Sequence, residues 1–415
     1  MGQLSINGNR LWDRLDELAQ IGAIPETIGS SRLALTKEDG LARDLVVSWM
    51  NDLEMDVTVD GVGNVVGIWH GLKTDTSRRP VMTGSHIDTV RSGGRFDGNL
   101  GVLAGLEVVQ TLAEMGISSE HPIAVGIFTG EEGARFAPDM LGSLVYVGAL
   151  DLETALNTIG VDGEILGDEL ERIGYAGLAQ CPGVIPEAFI ELHIEQGPVL
   201  EAEGIAIGAV ESVQGISWTE VTIEGQSNHA GTTPMSMRRD AGYVAGQIST
   251  HVRKIADQIG GTQVGTVGKI DLHPNLVNVV ASKASMTVDL RNTSETSLRE
   301  SENHLAMFCE EISEKENVTI SSKTLARFKP VEFDNKLIET ISSTASTLGF
   351  SNRRMTSGAG HDAQMLARVC PSAMIFVPSK GGLSHNPEEY TSLEDLTAGA
   401  NVLLHSILSV AGECS

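Results

Sequence analysis

Five short segments of this 415-residue chain follow apolar runs and carry side chains able to hold a metal ion. Thr83–Val90 reads TGSHIDTV and sets His86 two residues before Asp88. Gly93–Gly98, GGRFDG, offers Asp97 in a glycine-rich loop, and Thr129–Phe136, TGEEGARF, offers Glu131 and Glu132. Glu191–Pro198, ELHIEQGP, supplies His193, and Gly381–Glu388, GGLSHNPE, supplies His385. Imidazole nitrogens and carboxylate oxygens together suit zinc, manganese, cobalt or nickel. Each segment alone says little. A histidine after a strand commonly bonds its own loop, and paired glutamates favour a helix N-terminus. His70, His121, His251, His273, His304 and His405 take that ordinary reading. Five segments in one register point to one site.

The elements that must position them can be read from periodicity. Val81–Met82, Ile123–Phe128, Phe189–Ile194 and Met374–Val377 are short apolar runs typical of buried strands, and 101–115 is helical up to Gly116. Helices over 9–21 and 37–53 and a strand ending near Trp69 precede them. Alternation of strands and helices predicts an α/β domain with a mostly parallel mixed sheet flanked by helices. In such sheets sites form at the carboxyl ends of strands, so the five segments can converge on one crevice.

Around Gln214 the character changes. Ser217–Glu224, SWTEVTIE, alternates as a half-exposed strand does. A helix over about 236–258, strands near 263–270 and 278–290, a helix near 295–314 and a strand near 318–328 complete a β-α-β-β-α-β order, which is ferredoxin-like. A helix over 335–348 then resumes the first pattern. The expected architecture is a discontinuous catalytic domain, 1–213 with 331–415, interrupted by an inserted α+β domain over 214–330.

Lys plus Arg total 29 against 55 Asp plus Glu, a net charge of −26. That excess argues against nucleic acid or an anionic membrane surface as partner, since both require a positive footprint. Cys181, Cys309, Cys370 and Cys414 are scattered without CxxC pairing and read as reduced thiols of a cytoplasmic protein. No apolar run approaches the 18 residues of a membrane span, and the N-terminus has no signal-peptide core.

Taken together the segments resemble the di-metal amidohydrolases related to aminoacylases and zinc aminopeptidases. Within that clan they look like the branch of N-carbamoyl-L-amino acid hydrolases, β-ureidopropionases and allantoate amidohydrolases. The resemblance extends to SRLALTKEDG (31–40), GQSNHAGTTPM (225–235), NVVASKASMTVDLRN (278–292) and SGAGHDAQ (357–364). GGRFDGNLGVLAGLEV (93–108) and EEGARFAPDMLGS (131–143) are closer to carbamoylases than to allantoate hydrolases.

The resemblance implies two divalent metal ions per subunit, zinc first, with manganese, cobalt or nickel as alternatives. Asp97 would bridge them, His86 and His193 would complete one site, and Glu132 and His385 the other. The aminopeptidases usually have a carboxylate where His193 stands. Asp88 would accept the His86 N–H and fix its tautomer. Glu131 would be the general base, and His229, on the inserted domain, the donor to the developing oxyanion. Arg291 offers a bidentate fork for the substrate carboxylate, its bland alternative being a salt bridge at a strand end. Gln196, Asn278, Gly360 and His361 match further substrate-contacting positions. The implied reaction is cleavage of the carbamoyl C–N bond of a small N-carbamoyl-L-amino acid. The same ligands serve allantoate, other ureido acids, acyl-amino acids or dipeptides, and a binder that has lost activity should lack a base or bridge that this chain retains. The resemblance also implies a homodimer paired through the inserted lid domain, with His229 delivered across it.

Overall fold

The computed structural model describes residues 4–412. It divides into two compact units, one running to Glu211 and resuming at Glu332, the other spanning Ser212–Val331. Strands β1 (Asp56–Val59), β2 (Val65–Trp69), β3 (Val81–His86), β4 (Ile123–Phe128), β5 (Ala188–Ile194) and β6 (Ile207–Val213) come first. The second unit holds β7 (Gly215–Glu224), β8 (Val264–His273), β9 (Lys283–Asn292) and β10 (Thr319–Phe328). The chain returns through β11 (Val331–Glu332), β12 (Asn352–Ser357) and β13 (Ser372–Val377).

The larger sheet has the order β1-β2-β4-β3-β5-β13-β6-β11, with β12 paired to β6. Its centre is parallel: β3 lies between β4 and β5, and β13 continues beside β5. Antiparallel β2 and β6 flank that centre. Strands β3, β4, β5 and β13 are buried at every position, which is why their sequences run apolar instead of alternating. The helix Asn99–Met115 is buried along almost its whole length and packs with Gly8–Ala19 and Leu393–Ala411. This last helix is one that the sequence reading does not mark. Ser392 caps it, its side chain accepting from the Asp395 N–H.

The smaller unit is a four-stranded antiparallel sheet, order β10-β7-β9-β8, with helices Ala241–Ile259 and Glu295–Glu316. Val221, Ile223, Met286, Val288 and Leu290 from the strands pack against Val244, Ile248, Val252, Leu298 and Leu305 from the helices. The order is the ferredoxin-like one expected. Two boundaries move. The first helix starts at Ala241, not 236, because Asp240 caps it through the Gly242 and Tyr243 N–H groups after a short turn at Met235–Met237. Strand β9 starts at Lys283, and residues 278–280 instead lie against the loop that carries His229.

Cys181, Cys309 and Cys370 are free thiols, and Cys414 lies outside the described residues. Among the described residues no helix is long and apolar enough to cross a membrane.

Candidate metal centre and the residues around it

His86 is the last residue of β3 and His193 the penultimate residue of β5. Glu131 and Glu132 follow β4, His385 follows β13, and Asp97 sits just before the helix Asn99–Met115. The carboxyl ends of the central strands therefore gather all five candidate ligands. They form two triads sharing one residue: His86, Asp97 and His193, and Asp97, Glu132 and His385. Asp97 Oδ1 lies 3.2 Å from His193 Nε2 and 3.8 Å from His86 Nε2. Its Oδ2 lies 3.6 Å from His385 Nε2, which in turn is 3.2 Å from Glu132 Oε2.

Hydrogen bonds fix which nitrogen of each buried imidazole faces the cluster. His193 Nδ1 donates to the Ile194 carbonyl at 2.8 Å, and His86 Nδ1 to the Asp88 carbonyl at 2.9 Å. Nε2 of both rings is thus turned towards carboxylate oxygens, where either a proton or a shared cation can sit between them. Burial opposes a charge on His193, yet its hydrogen bond to Asp97 and the Asp97 and Glu191 charges push it up to about 9. The Glu132 hydrogen bond likewise lifts His385 to about 9. Those partners hold Asp97 well below the usual carboxylate range although burial acts the other way. The cluster attracts positive charge and offers nitrogen and oxygen donors in two sets, so its chemistry fits divalent metals.

Asp88 does not act as expected from sequence. The tautomer of His86 is set by the Asp88 main-chain carbonyl, and the side chain is 4.0 Å from Nδ1. The carboxylate instead accepts the N–H groups of Gly130, Glu131 and Glu132 at 3.2, 3.4 and 3.4 Å. The reason is geometric: two residues past the end of β3 the chain turns, bringing the carbonyl over the ring and the side chain under the adjacent β4 loop. Asp88 therefore fixes the loop that bears Glu131. Glu131 is buried, and desolvation, together with the charges of Asp362, Glu132, Asp97 and Asp88, pushes its carboxyl well above the usual range. Its Oε2 lies 3.4 Å from His86 Nε2. A carboxylate so placed has the raised basicity that proton transfer requires.

The remaining sequence candidates in this unit are held close by. Gln196 Nε2 donates to Asp97 Oδ2 at 2.9 Å and to Ser384 Oγ at 3.1 Å, and Ser384 Oγ donates to the same Asp97 oxygen at 3.0 Å. Ser384 escapes sequence reasoning because a serine beside a histidine carries no spacing signal. His361 is buried, its ring edge-on to His193 at 4.6 Å between centroids, with Nε2 2.8 Å from Ser357 Oγ. Burial first, and the His193 charge second, keep it neutral. It packs directly against one of the candidate ligands. Gly360 precedes it, half-buried, where a Cβ would come 3.0 Å from Met140 Cε.

His229, Asn278 and Arg291 belong to the second unit. His229 is exposed, and its Nδ1 accepts the Gly231 and Thr232 N–H groups at 3.0 and 3.2 Å. The proton of the neutral ring must then sit on Nε2, free to donate outward. The Ala230 N–H bonds the Asn278 carbonyl and the Val280 N–H the Asn228 carbonyl, so His229 and exposed Asn278 are neighbours beyond the β7–β9 pair. Arg291 is near the opposite end of β9, paired with Ile216. Its Nε and Nη2 grip the Asp289 carboxylate at 2.9 to 3.1 Å, and its guanidinium lies 6.0 Å from the Trp218 ring.

Comparison with known proteins adds a family to this geometry. Residues 82–409 match the sequence pattern of the peptidase family M20/M25/M40. An N-carbamoyl-L-amino-acid amidohydrolase of Rhizobium meliloti is 43% identical over 98% of this chain and 97% of its own. An allantoate amidohydrolase of Bacillus subtilis is 34% identical over 97% of this chain and 98% of its own. The solved structure of a hydantoinase/carbamoylase-family amidase from Burkholderia multivorans superposes with a TM-score of 0.93 at 44% identity, covering 98% of each chain.

Proposed function

The chain belongs to the peptidase family M20/M25/M40, and on that premise we propose that it is a metal-dependent amidohydrolase cleaving the carbamoyl C–N bond of N-carbamoyl-L-amino acids. The products would be the L-amino acid and carbamate, which breaks down to carbon dioxide and ammonia. The observation that carries this reading is the pair of histidine–carboxylate triads sharing Asp97, with the raised carboxyl of Glu131 beside them. Full-length likeness to a named carbamoylase supports the substrate class. Allantoate is the second reading, favoured by the Bacillus subtilis relative.

His86, Asp97 and His193 would hold one divalent ion, and Asp97, Glu132 and His385 the other. Ions there would supply the charge that lowers the pKa of a water and polarises the ureido carbonyl. Glu131 takes the proton of the attacking water and gives it to the departing amino nitrogen. His229 Nε2–H donates to the oxygen that becomes negative, Asn278 contacts the substrate beside it, and Arg291 binds the α-carboxylate. Gln196, Gly360 and His361 line the substrate side of the centre. Arg291 pairs beside Ile216, whereas His229 and Asn278 lie past the other end of the same strand pair, where Lys283 faces Glu224. Eight strand steps at about 3.4 Å put about 27 Å between those ends, far more than one carbamoyl amino acid spans. Both can serve catalysis only at different sites, which supports a homodimer with His229 and Asn278 acting across it.

The test is ammonia release from N-carbamoyl-L-methionine after EDTA dialysis and readdition of Zn²⁺, Mn²⁺, Co²⁺ or Ni²⁺, run beside D-isomers, β-ureidopropionate, allantoate and N-acetyl-L-methionine. We expect activity to vanish with the metal, return with it, and favour the N-carbamoyl-L-amino acid. Turnover of allantoate alone would replace the substrate, and turnover unaffected by EDTA would remove the metal mechanism.

A further inference from the structure

Asp97 has a side chain at the heart of the cluster, but its backbone is gripped by residues with no part in the ligand set. Glu389, four residues after His385, is wholly buried, and its Oε1 accepts the N–H groups of both Phe96 and Asp97 at 3.0 and 3.1 Å. The loop is cut to admit it. A Cβ at Gly94 would lie 2.0 Å from that same oxygen, so only glycine fits there. The Asp97 carbonyl is held from the other side, accepting Asn99 N at 2.7 Å and Asn99 Nδ2 at 3.1 Å. Asn99 Oδ1 in turn accepts from Arg32 Nη2 at 2.8 Å.

Arg32 is itself unusual: it is fully buried, and its other donors go to the carbonyls of Ile87, Leu18 and Ile21 at 2.8, 3.2 and 2.8 Å. Ile87 lies between His86 and Asp88. One arm therefore ties Asp97 to the His385 loop and the other ties it to the His86 loop. A buried guanidinium is costly to desolvate unless its hydrogen bonds are made, which holds Arg32, and Asn99 with it, in one geometry.

We propose that Glu389 and the Arg32–Asn99 pair are positioning residues that clamp the Asp97 backbone from both sides and so hold its carboxylate in place between the two triads. Removing a side chain that orients a ligand commonly costs 10- to 100-fold in metal affinity. The proposal rests on the reading of Asp97 as the shared ligand.

The test measures metal affinity by chelator competition, and the melting temperatures of metal-free and metal-loaded protein, for Glu389→Leu, Glu389→Gln, Gly94→Ala and Asn99→Ala, with Asp97→Asn beside them. Glu389→Leu should weaken metal binding by about 10- to 100-fold and narrow the gap between the loaded and metal-free melting temperatures. Glu389→Gln keeps an acceptor oxygen of the same reach and should restore binding to within a few-fold. Gly94→Ala, which leaves Glu389 in the chain but fills its place, should reproduce the loss, and Asn99→Ala should weaken binding through the second arm. A merely structural role would lower both melting temperatures together and leave the gap unchanged, which overturns the proposal. Should Glu389→Leu fail to fold, Gly94→Ala and Asn99→Ala decide in the same way: parental metal affinity in both also overturns it. If Asp97→Asn binds metal as the parent does, the assignment of the centre itself has failed, a result distinct from a clamp that does nothing.

Discussion

At the scale of single residues, the proposed mechanism gives two jobs to neighbouring carboxylates. Glu132 lies against His385 in the second triad, while Glu131 is buried and, with the charges of Asp362, Glu132, Asp97 and Asp88 nearby, is made more basic. Replacement by the uncharged amide should split these jobs. Glu131→Gln preserves shape but cannot take a proton, so turnover should fall by about 10²- to 10⁴-fold while bound metal stays at the parental level. Asp97→Asn removes the charge that both triads share, and metal should be lost before any effect on turnover can be read. Metal analysis of dialysed protein together with steady-state rates checks both. Parental turnover in Glu131→Gln would end its role as base. At Asp88 the spacing from His86 puts the residue near the ring, yet backbone direction decides that its carbonyl, not its carboxylate, meets Nδ1.

At the scale of elements, the candidate ligands converge because parallel strands end together, and glycines let their loops close in. Gly98 has φ +67, and a Cβ there would lie 2.4 to 2.5 Å from the His86 ring, while its N–H donates to His193 Nε2 at 3.2 Å. Gly98→Ala adds backbone strain and drives a methyl into His86. We expect at least a tenfold weaker metal affinity with the far-UV circular dichroism of the metal-free protein unchanged. Binding and activity at parental levels would mean that His86 is not seated as described. Elements of this kind were legible in the sequence where one physical signal dominates. Apolar runs marked β3, β4, β5 and β13, alternation marked β7, and ligand-type residues beyond the buried strands marked the centre. Signals that depend on distant partners were not legible. Nothing in the spacing of Arg32 and Glu389 announces that the fold buries them against the carbonyls of Ile87 and Leu18 and the N–H groups of Phe96 and Asp97. The start of β9 differs from the expected one for a related reason: residues 278–282 run as apolar as a strand, but Asn278 and Val280 bond the His229 loop, and the Ala281 carbonyl accepts from the Ala241 N–H.

At the scale of the whole molecule, the proposed roles of Arg291 and His229 require one small substrate to meet both, although the β7–β9 ladder holds them at opposite ends. A single copy of the second unit cannot present both to one site. Two copies can, if each lends its His229 to the other's metal centre and keeps its Arg291 for its own. Hybrid dimers decide this. Glu131→Gln and His229→Ala homodimers should each be nearly inactive. Unfolding and reannealing an equal mixture gives about half heterodimers from the statistics of two-fold assembly. If His229 acts across the dimer, every heterodimer contains one site with both defects and one with neither, so about a quarter of the parental activity returns. If it acts within its own subunit, every site keeps one defect and nothing returns. A His229→Ala homodimer with parental turnover would show instead that the Nε2 proton, left free by the Gly231 and Thr232 N–H bonds, has no catalytic use. Light scattering supplies the precondition, since a strict monomer cannot exchange histidines. Arg291 then has to work in cis, and in the active heterodimer site its replacement by lysine should matter only on the subunit that also supplies the intact Glu131.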